Sequence, residues 1–510
     1  MEEATLQRMY QEFVVDGLTL LPPELLPGVD HDLLYSKADE TYAYGRANPA
    51  DTNHLDLYGD TALVERIPEV TQLLDAPALK QAIEAIVGKD YLLHPHCFLH
   101  EALPKDQVFH QDGNLPWNER GHYRSHRPDW ALIFYYPQTV TLENGPTEVV
   151  PGTQYWTKDF EKRDGNYHPG DAFDRTYFKT TRDSSDAELH ARLNTAALDS
   201  LGVPDLKRKF VTVPKGSVAI CHYDIVHRGT RNAAAQAPRY MYKFYFARTQ
   251  APKARSWPKP ETGSVRNELK PVVEDIWHWT DNSKLAKPSE TVTELQADLL
   301  SGAEHLRVAA AYKLAHKVLS DPTQRDRATS VLKEAMTVQT EGIRRAVAYG
   351  IRALRKHADC VLDLLNHERP DVRRLAAFAL GTEVLGDSDE VVQGLLTSIR
   401  SDDDVLTRSN AAYSLGQLAR TNDNPDSLAS ALLDRLKPGV EPNNTEVALL
   451  PRSTVRQSLA YALLQCACNH NLNTEIRARI GVHINDDDRY VAGFAEEALN
   501  RLEPLSHRSD

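Results

Sequence analysis

A histidine and an aspartate two residues apart, His110 and Asp112, are followed more than a hundred residues later by His227 and then by Arg239. Side chains at i and i+2 of an extended strand share one face. With His227 as a third ligand, the pair would offer two imidazoles and one carboxylate to one side of an octahedral ion. That is the donor set of a mononuclear non-haem iron site, and it leaves three positions open for a bidentate oxoacid and O2. Arg239 would then hold the oxoacid's far carboxylate.

A His-x-Asp triplet alone is weak, because 20 histidines in 510 residues give about one or two by chance, and the chain has four. Context separates them. His54-Asp56 sits in a Gly/Asn/Asp-rich stretch that reads as turns. His222-Asp224 has only His227 close behind it, on the same run. His357-Asp359 lies in a region of helical periodicity. Only His110-Asp112 combines strand-like apolar surroundings with a distant third histidine. His94, His96 and His100 share a strand face by period two, but no carboxylate or thiol accompanies them there, so a second metal site is disfavoured.

Positioning these groups needs a substantial fold, and 510 residues exceed what one core supports. With 41% hydrophobic and 26% charged residues, each domain can bury its own core. Five scattered cysteines, with no CxxC, argue against a disulfide framework or structural zinc and fit a reducing compartment. The acidic N-terminus does not read as a secretion signal, and no apolar run reaches membrane-span length. A net charge of -13 opposes non-specific binding to nucleic acid or anionic membrane. A cytoplasmic protein is expected.

The chain changes character near residue 290. Before it, runs at 91–99, 108–110, 130–136, 147–150, 209–213, 218–226 and 240–247 read as short strands between Pro/Gly turns, with helices at 5–15 and 76–87, the latter capped by Asp75. This pattern predicts a double-stranded β-helix, a jelly-roll or cupin-like barrel with flanking helices, over residues 1–290. After it, residues 291–510 are rich in Ala and Leu and carry a repeat, apolar-Arg-x-x-x-Ala-x-x-apolar, with arginines at 307, 344, 373, 408 and 456. The spacing of roughly 30 to 50 residues resembles HEAT and armadillo-like α-solenoids. The fold class is therefore α+β multidomain, with an all-α HEAT-like solenoid at the C-terminus. A solenoid of this kind suits docking of a protein partner or self-association.

The order of motifs in the first part carries a resemblance. His110-Gln111-Asp112, Asn144-Gly145-Pro146 leading to Pro151-Gly152-Thr153, His227 with Gly229 and Asn232, and then Arg239 resemble the phytanoyl-CoA dioxygenase family of Fe(II)- and 2-oxoglutarate-dependent oxygenases. The resemblance implies His110, Asp112 and His227 as Fe(II) ligands and Arg239 as partner of the distal carboxylate of 2-oxoglutarate, with Arg231 and Arg248 as rivals for that task. Thr230 would be a hydroxyl partner of the same carboxylate, and Phe134 falls where the family places an aromatic against the cosubstrate. Where the usual motif continues Pro-Gly-Ser-His, this chain has Pro151-Gly152-Thr153-Gln154.

Related halogenases lack the ligating carboxylate, so Asp112 implies oxidation of a substrate C–H, with 2-oxoglutarate and O2 consumed and succinate and CO2 released. The substrate is expected to be a small molecule. A cationic loop at residues 119–127, with Arg120, Arg124 and Arg127, would suit a carboxylate or phosphate on it if the loop covers the barrel mouth. Equally, it reads as a solvated loop whose arginines pair with surface carboxylates. The reading from another class is a non-catalytic scaffold that acts through its solenoid; the retention of all four site residues favours the enzyme.

Overall fold

The computed structural model describes residues 1–49, 61–112, 125–157, 186–233, 238–252, 265–281, 284–437 and 454–502. His54 and Asp56 lie outside these residues, as do Arg120 and Arg124 of the cationic loop.

Nine strands are present among the described residues: β1 (Leu18–Leu21), β2 (Leu92–Leu93), β3 (Phe98–Glu101), β4 (Trp130–Tyr135), β5 (Thr147–Val150), β6 (Lys209–Phe210), β7 (Val218–His222), β8 (Val226–Gly229) and β9 (Tyr240–Ala247). They form two sheets. The larger runs β1-β7-β4-β9-β2, with β3 also on β9, and the smaller runs β6-β5-β8. Every pairing is antiparallel, and the non-sequential order is that of a jelly roll.

β9 shows how the sequence builds the barrel. All eight residues of Tyr-Met-Tyr-Lys-Phe-Tyr-Phe-Ala are buried, so the strand must be covered on both faces. Tyr240 and Tyr242 point outward and bond to Asp39 and to the Leu34 carbonyl of the helix His31–Ala47. Met241 and Lys243 point inward, toward Thr147 of β5 and toward Asp112. The alternation is the strand period of two, set on opposite sides of one sheet.

Several boundaries differ from expectation. The run 218–226 divides into β7 and β8 around a tight reversal, and residues 108–110 make only an isolated bridge, His110 to His227. β1, too short for a periodicity signal, pairs with β7. Asp75 is not a helix cap. The helix Pro77–Val87 starts from Ala76 with no side-chain cap, and Asp75 pairs with Lys80 at 2.8 Å.

From residue 292 the described chain is helical, in hairpins whose facing alanines Ala311, Ala348, Ala377, Ala411 and Ala460 are buried. The repeated arginine has a physical role at four of its five positions, 344, 373, 408 and 456. Arg344, Arg373 and Arg408 donate to backbone carbonyls five or six residues upstream, which satisfies turn carbonyls that have no helical partner. Three of the repeated arginines also reach an aspartate of the following repeat: Arg344–Asp371 at 2.9 Å, Arg373–Asp402 at 2.8 Å, and Arg456–Asp486. In Arg344 and Arg373 the same residue thus closes its own turn and fixes the stacking of its neighbour.

The helical part packs directly on the barrel, and buried apolar residues of both form one continuous core. Trp130 of β4 lies 5.8 Å from Tyr461, His94 lies 5.1 Å from Phe494, and His96 bonds to Tyr490. His94 and His96 therefore seat the last helix, Arg489–Leu502, rather than a metal. All five cysteines are free, and among the described residues no helix is long and apolar enough to cross a membrane.

Candidate metal and oxoacid site

His110 and His227 face each other across the barrel's smaller sheet. Their backbones exchange both hydrogen bonds, at 2.9 and 3.0 Å, so they are directly opposed residues whose side chains leave the same face. The imidazole centroids are 4.5 Å apart. Asp112, two residues beyond His110, joins them, and one ligand atom from each of the three lies within 4.8 Å of the others. All three are buried.

The imidazoles are oriented by their own backbone. His110 Nδ1 bonds to the Val108 carbonyl and His227 Nδ1 to the Ile225 carbonyl, both at 2.9 Å. A carbonyl can only accept, so each Nδ1 carries the proton and each Nε2 presents its lone pair to the shared space. His227 Nε2 stands 3.6 Å from Asp112 Oδ2. Two neutral imidazole nitrogens and a carboxylate, turned to one point, fit a divalent cation.

Two groups at this site had not been singled out from sequence. Lys243 places its ammonium 2.7 Å from Asp112 Oδ2 and lies over the rings of Phe134 and Tyr245. A lone lysine at the centre of an apolar strand, four residues beyond Arg239 and on its face, was the available signal. Gln111 is the other. Its amide donates to the Trp156 carbonyl at 2.9 Å and the Asp224 carbonyl at 2.7 Å, joining the His-x-Asp segment to two neighbouring loops.

Arg239 is buried at the opposite end of β9's inward face. It donates through Nη2 to the Gly145 carbonyl and lies over the Tyr136 ring at 5.8 Å. Burial lowers its pKa, and its Nε meets no hydrogen-bond partner. Gly145 has φ +83°, and a Cβ there would stand 2.7 Å from the Thr230 carbonyl, so the Asn144-Gly145 turn must carry glycine to bring these segments together. Thr230 is buried beside the same turn and donates to the Pro146 carbonyl at 2.6 Å. Phe134 lies on β4 directly opposite Lys243, its ring 5.7 Å from His227.

The rival arginines are committed elsewhere. Arg231 pairs with Asp106 at 2.6 Å, and Arg248 stacks on Trp279 and donates to backbone. His222 turns its ring to Phe13 and Tyr155, away from the three ligands. In place of the usual Ser-His, Thr153 accepts from the backbone N–H of Val226, next to His227, and Gln154 donates to the Val14 carbonyl of the first helix. Both therefore brace the fold. Arg127 of the cationic loop is not available to a ligand, since it forms a buried ion pair with Glu383 at 2.9 Å.

A jelly roll whose interior holds two histidines and an aspartate, with a buried arginine on the facing sheet, has the architecture of non-haem iron oxygenases. Residues 5–241 match the phytanoyl-CoA dioxygenase (PhyH) family and residues 358–441 match HEAT repeats. The barrel is thus a phytanoyl-CoA dioxygenase family domain, fused to a HEAT-repeat domain. No curated protein matches the chain. Among solved structures, it is similar to the non-haem α-ketoglutarate-dependent carbocyclase SnoK from nogalamycin biosynthesis, at 16% identity and TM-score 0.32, covering 52% of this chain and 89% of that one. It is likewise similar to AviO1 from Streptomyces viridochromogenes Tue57, at 15% identity and TM-score 0.32, covering 50% and 98%. A third is the epimerase SnoN of nogalamycin biosynthesis, at 16% and 0.31, covering 49% and 85%.

Proposed function

We propose that this chain is an Fe(II)- and 2-oxoglutarate-dependent oxygenase that oxidises a C–H bond of a small anionic molecule, most simply by hydroxylation, with release of succinate and CO2. The observation that carries the reading is the convergence of His110, Asp112 and His227, with both Nε2 atoms turned inward, together with a buried arginine further along the inward face of β9 that has a donor to spare. In this reading the three residues hold Fe(II). The bound metal would supply the O2-activating redox chemistry, which no protein side chain provides.

The remaining tasks fall to the chain itself. Arg239 offers Nε toward the distal carboxylate of 2-oxoglutarate, as a planar guanidinium suits. Thr230, whose proton is given to Pro146, keeps lone pairs and serves that end chiefly by holding the turn. Phe134 walls the cosubstrate's aliphatic stem. Lys243 holds the Asp112 carboxylate in place. We assign the oxygenase unit to residues 1–290 and the solenoid to residues 291–510, acting in the cytoplasm. A protein partner or second copy docking on the solenoid is supported by the HEAT match alone.

The test is anaerobic titration of the full chain with Fe(II) and 2-oxoglutarate. A weak visible charge-transfer band is expected. Asp112→Ala should abolish it, and Arg239→Gln should raise the 2-oxoglutarate needed for it by about thirtyfold or more. A folded wild-type chain that takes up Fe(II) yet gives no band would overturn the reading.

A further inference from the structure

Where the solenoid meets the barrel, the two share a buried charge cluster with more cations than anions. Arg127 pairs with Glu383 at 2.9 Å, Arg420 with Asp129 at 3.0 Å, and Arg355 with Asp275 at 3.0 Å. Two further guanidiniums have no carboxylate. Arg248 is accommodated by other means, lying 4.9 Å over the Trp279 ring and donating to the Pro128 and Ile86 carbonyls. Arg352 is not. Only 5% exposed, it stacks on Phe378 at 4.6 Å, and its Nη1 is buried without a hydrogen-bond partner. Among the described residues it makes no ion pair.

An arginine does not escape this by losing its proton, because the guanidinium stays charged under any burial met in proteins. The neighbouring carboxylates are also spent, Glu383 on Arg127 and on the Trp279 N–H, and Asp129 on Arg420 and the Ser125 hydroxyl. Among the described residues, two guanidiniums of this junction thus make no ion pair, and one of them, Arg352, has a buried Nη1 with no acceptor. The group that completes such a site is an oxyanion, whose oxygens match the guanidinium fork.

The location bears on the reaction. Arg345, Tyr349 and Arg352 recur at i, i+4 and i+7 of the helix Glu341–Ala353, and so form one stripe. Tyr349 stacks on His126 at 3.7 Å, and Arg345 donates to the Thr157 carbonyl at 3.4 Å. His126 lies in the first described segment after Asp112, and Thr157 follows Trp156, whose carbonyl is held by Gln111 of the His-x-Asp segment. The stripe thus faces the barrel rim beside the candidate metal ligands.

We propose that the barrel–solenoid junction is a binding site for the carboxylate or phosphate of a small molecule, with Arg352 as its principal ligand-binding residue. As the anionic end of the substrate, it deepens the proposed oxygenase reading and rests on it. The same chemistry would also hold a separate small-molecule effector.

The experiment follows thermal unfolding of the full-length protein in inorganic phosphate or acetate, against chloride at matched ionic strength. Wild type should show a saturable rise in Tm with the oxyanions. Arg352→Met should unfold no lower than wild type in chloride, since it removes an uncompensated charge, and its half-saturating oxyanion concentration should rise about tenfold or more. Arg352→Gln is the second variant if the methionine chain does not fold. The proposal is overturned if wild type shows no saturable rise, or if both variants keep it unchanged. Phosphate that shifts the Fe(II)–2-oxoglutarate band assigns the oxyanion to the substrate; a Tm rise with an unmoved band assigns it to an effector. Asp112→Ala separates this proposal from the oxygenase reading, because it should lose the band and keep the oxyanion response.

Discussion

Glu383→Gln should remove about 3 kcal/mol of stability at neutral pH, and the loss should vanish in acid. Glu383 is buried in the solenoid against Arg127 of the barrel, and Trp279 donates to it. Burial alone would push its pKa up, but Arg127, Arg420 and the Trp279 N–H outweigh that and lower it from 4.5 to about 2. Each pKa unit is worth roughly 1.4 kcal/mol, so the shift corresponds to about 3 kcal/mol favouring the folded state. The cost of breaking a buried pair, roughly 3–5 kcal/mol, agrees. The sign follows from the depressed folded pKa. The stabilisation is fully present above the unfolded pKa near 4.5 and is lost as pH falls toward about 2. Glutamine keeps the shape and an acceptor for Trp279 but carries no charge at any pH. The assay is equilibrium urea unfolding of both chains between pH 7 and pH 2, read as the difference between them. A difference below about 1 kcal/mol at pH 7, or one that does not shrink between pH 4.5 and 2, would refute the reasoning.

Two further outcomes are expected. Lys243→Met removes a positive charge beside the Asp112 carboxylate, so Fe(II) should bind more tightly by about tenfold or more; anaerobic competition with a chromophoric chelator measures it, and equal or weaker binding would count against the site. Residues 1–290 alone should aggregate, because Trp130, His94, Arg127 and Asp129 lose the solenoid residues that bury them; a monomer on size exclusion with native near-ultraviolet dichroism would contradict this.

Much of the site was legible because it uses local rules. Period two puts His110 and Asp112 on one face, and the Asn144-Gly145 turn declares its conformation through glycine. Tyr240 to Ala247 reads as a strand from composition alone. Other features needed contacts far apart in sequence. Lys243 meets Asp112 across 131 residues, and Arg127 meets Glu383 across 256. No window on the chain distinguishes Arg127, which is buried in an ion pair, from a solvated loop arginine. The same holds for His94 and His96, whose period-two spacing suits a metal as well as it suits the aromatic seat they form for Tyr490 and Phe494.

The sequence by itself determined the two kinds of element, the order of the metal and oxoacid residues, and the repeat with its arginine. Each follows from side-chain periodicity or backbone preference, which act within a few residues. Only the tertiary structure decided that the solenoid packs on the barrel and shares its core, and that Arg352 is buried with an Nη1 that finds no acceptor. Burial and electrostatic compensation are properties of the packed whole. A charge costs little or much according to what surrounds it, and those surroundings come from helices and strands hundreds of residues apart.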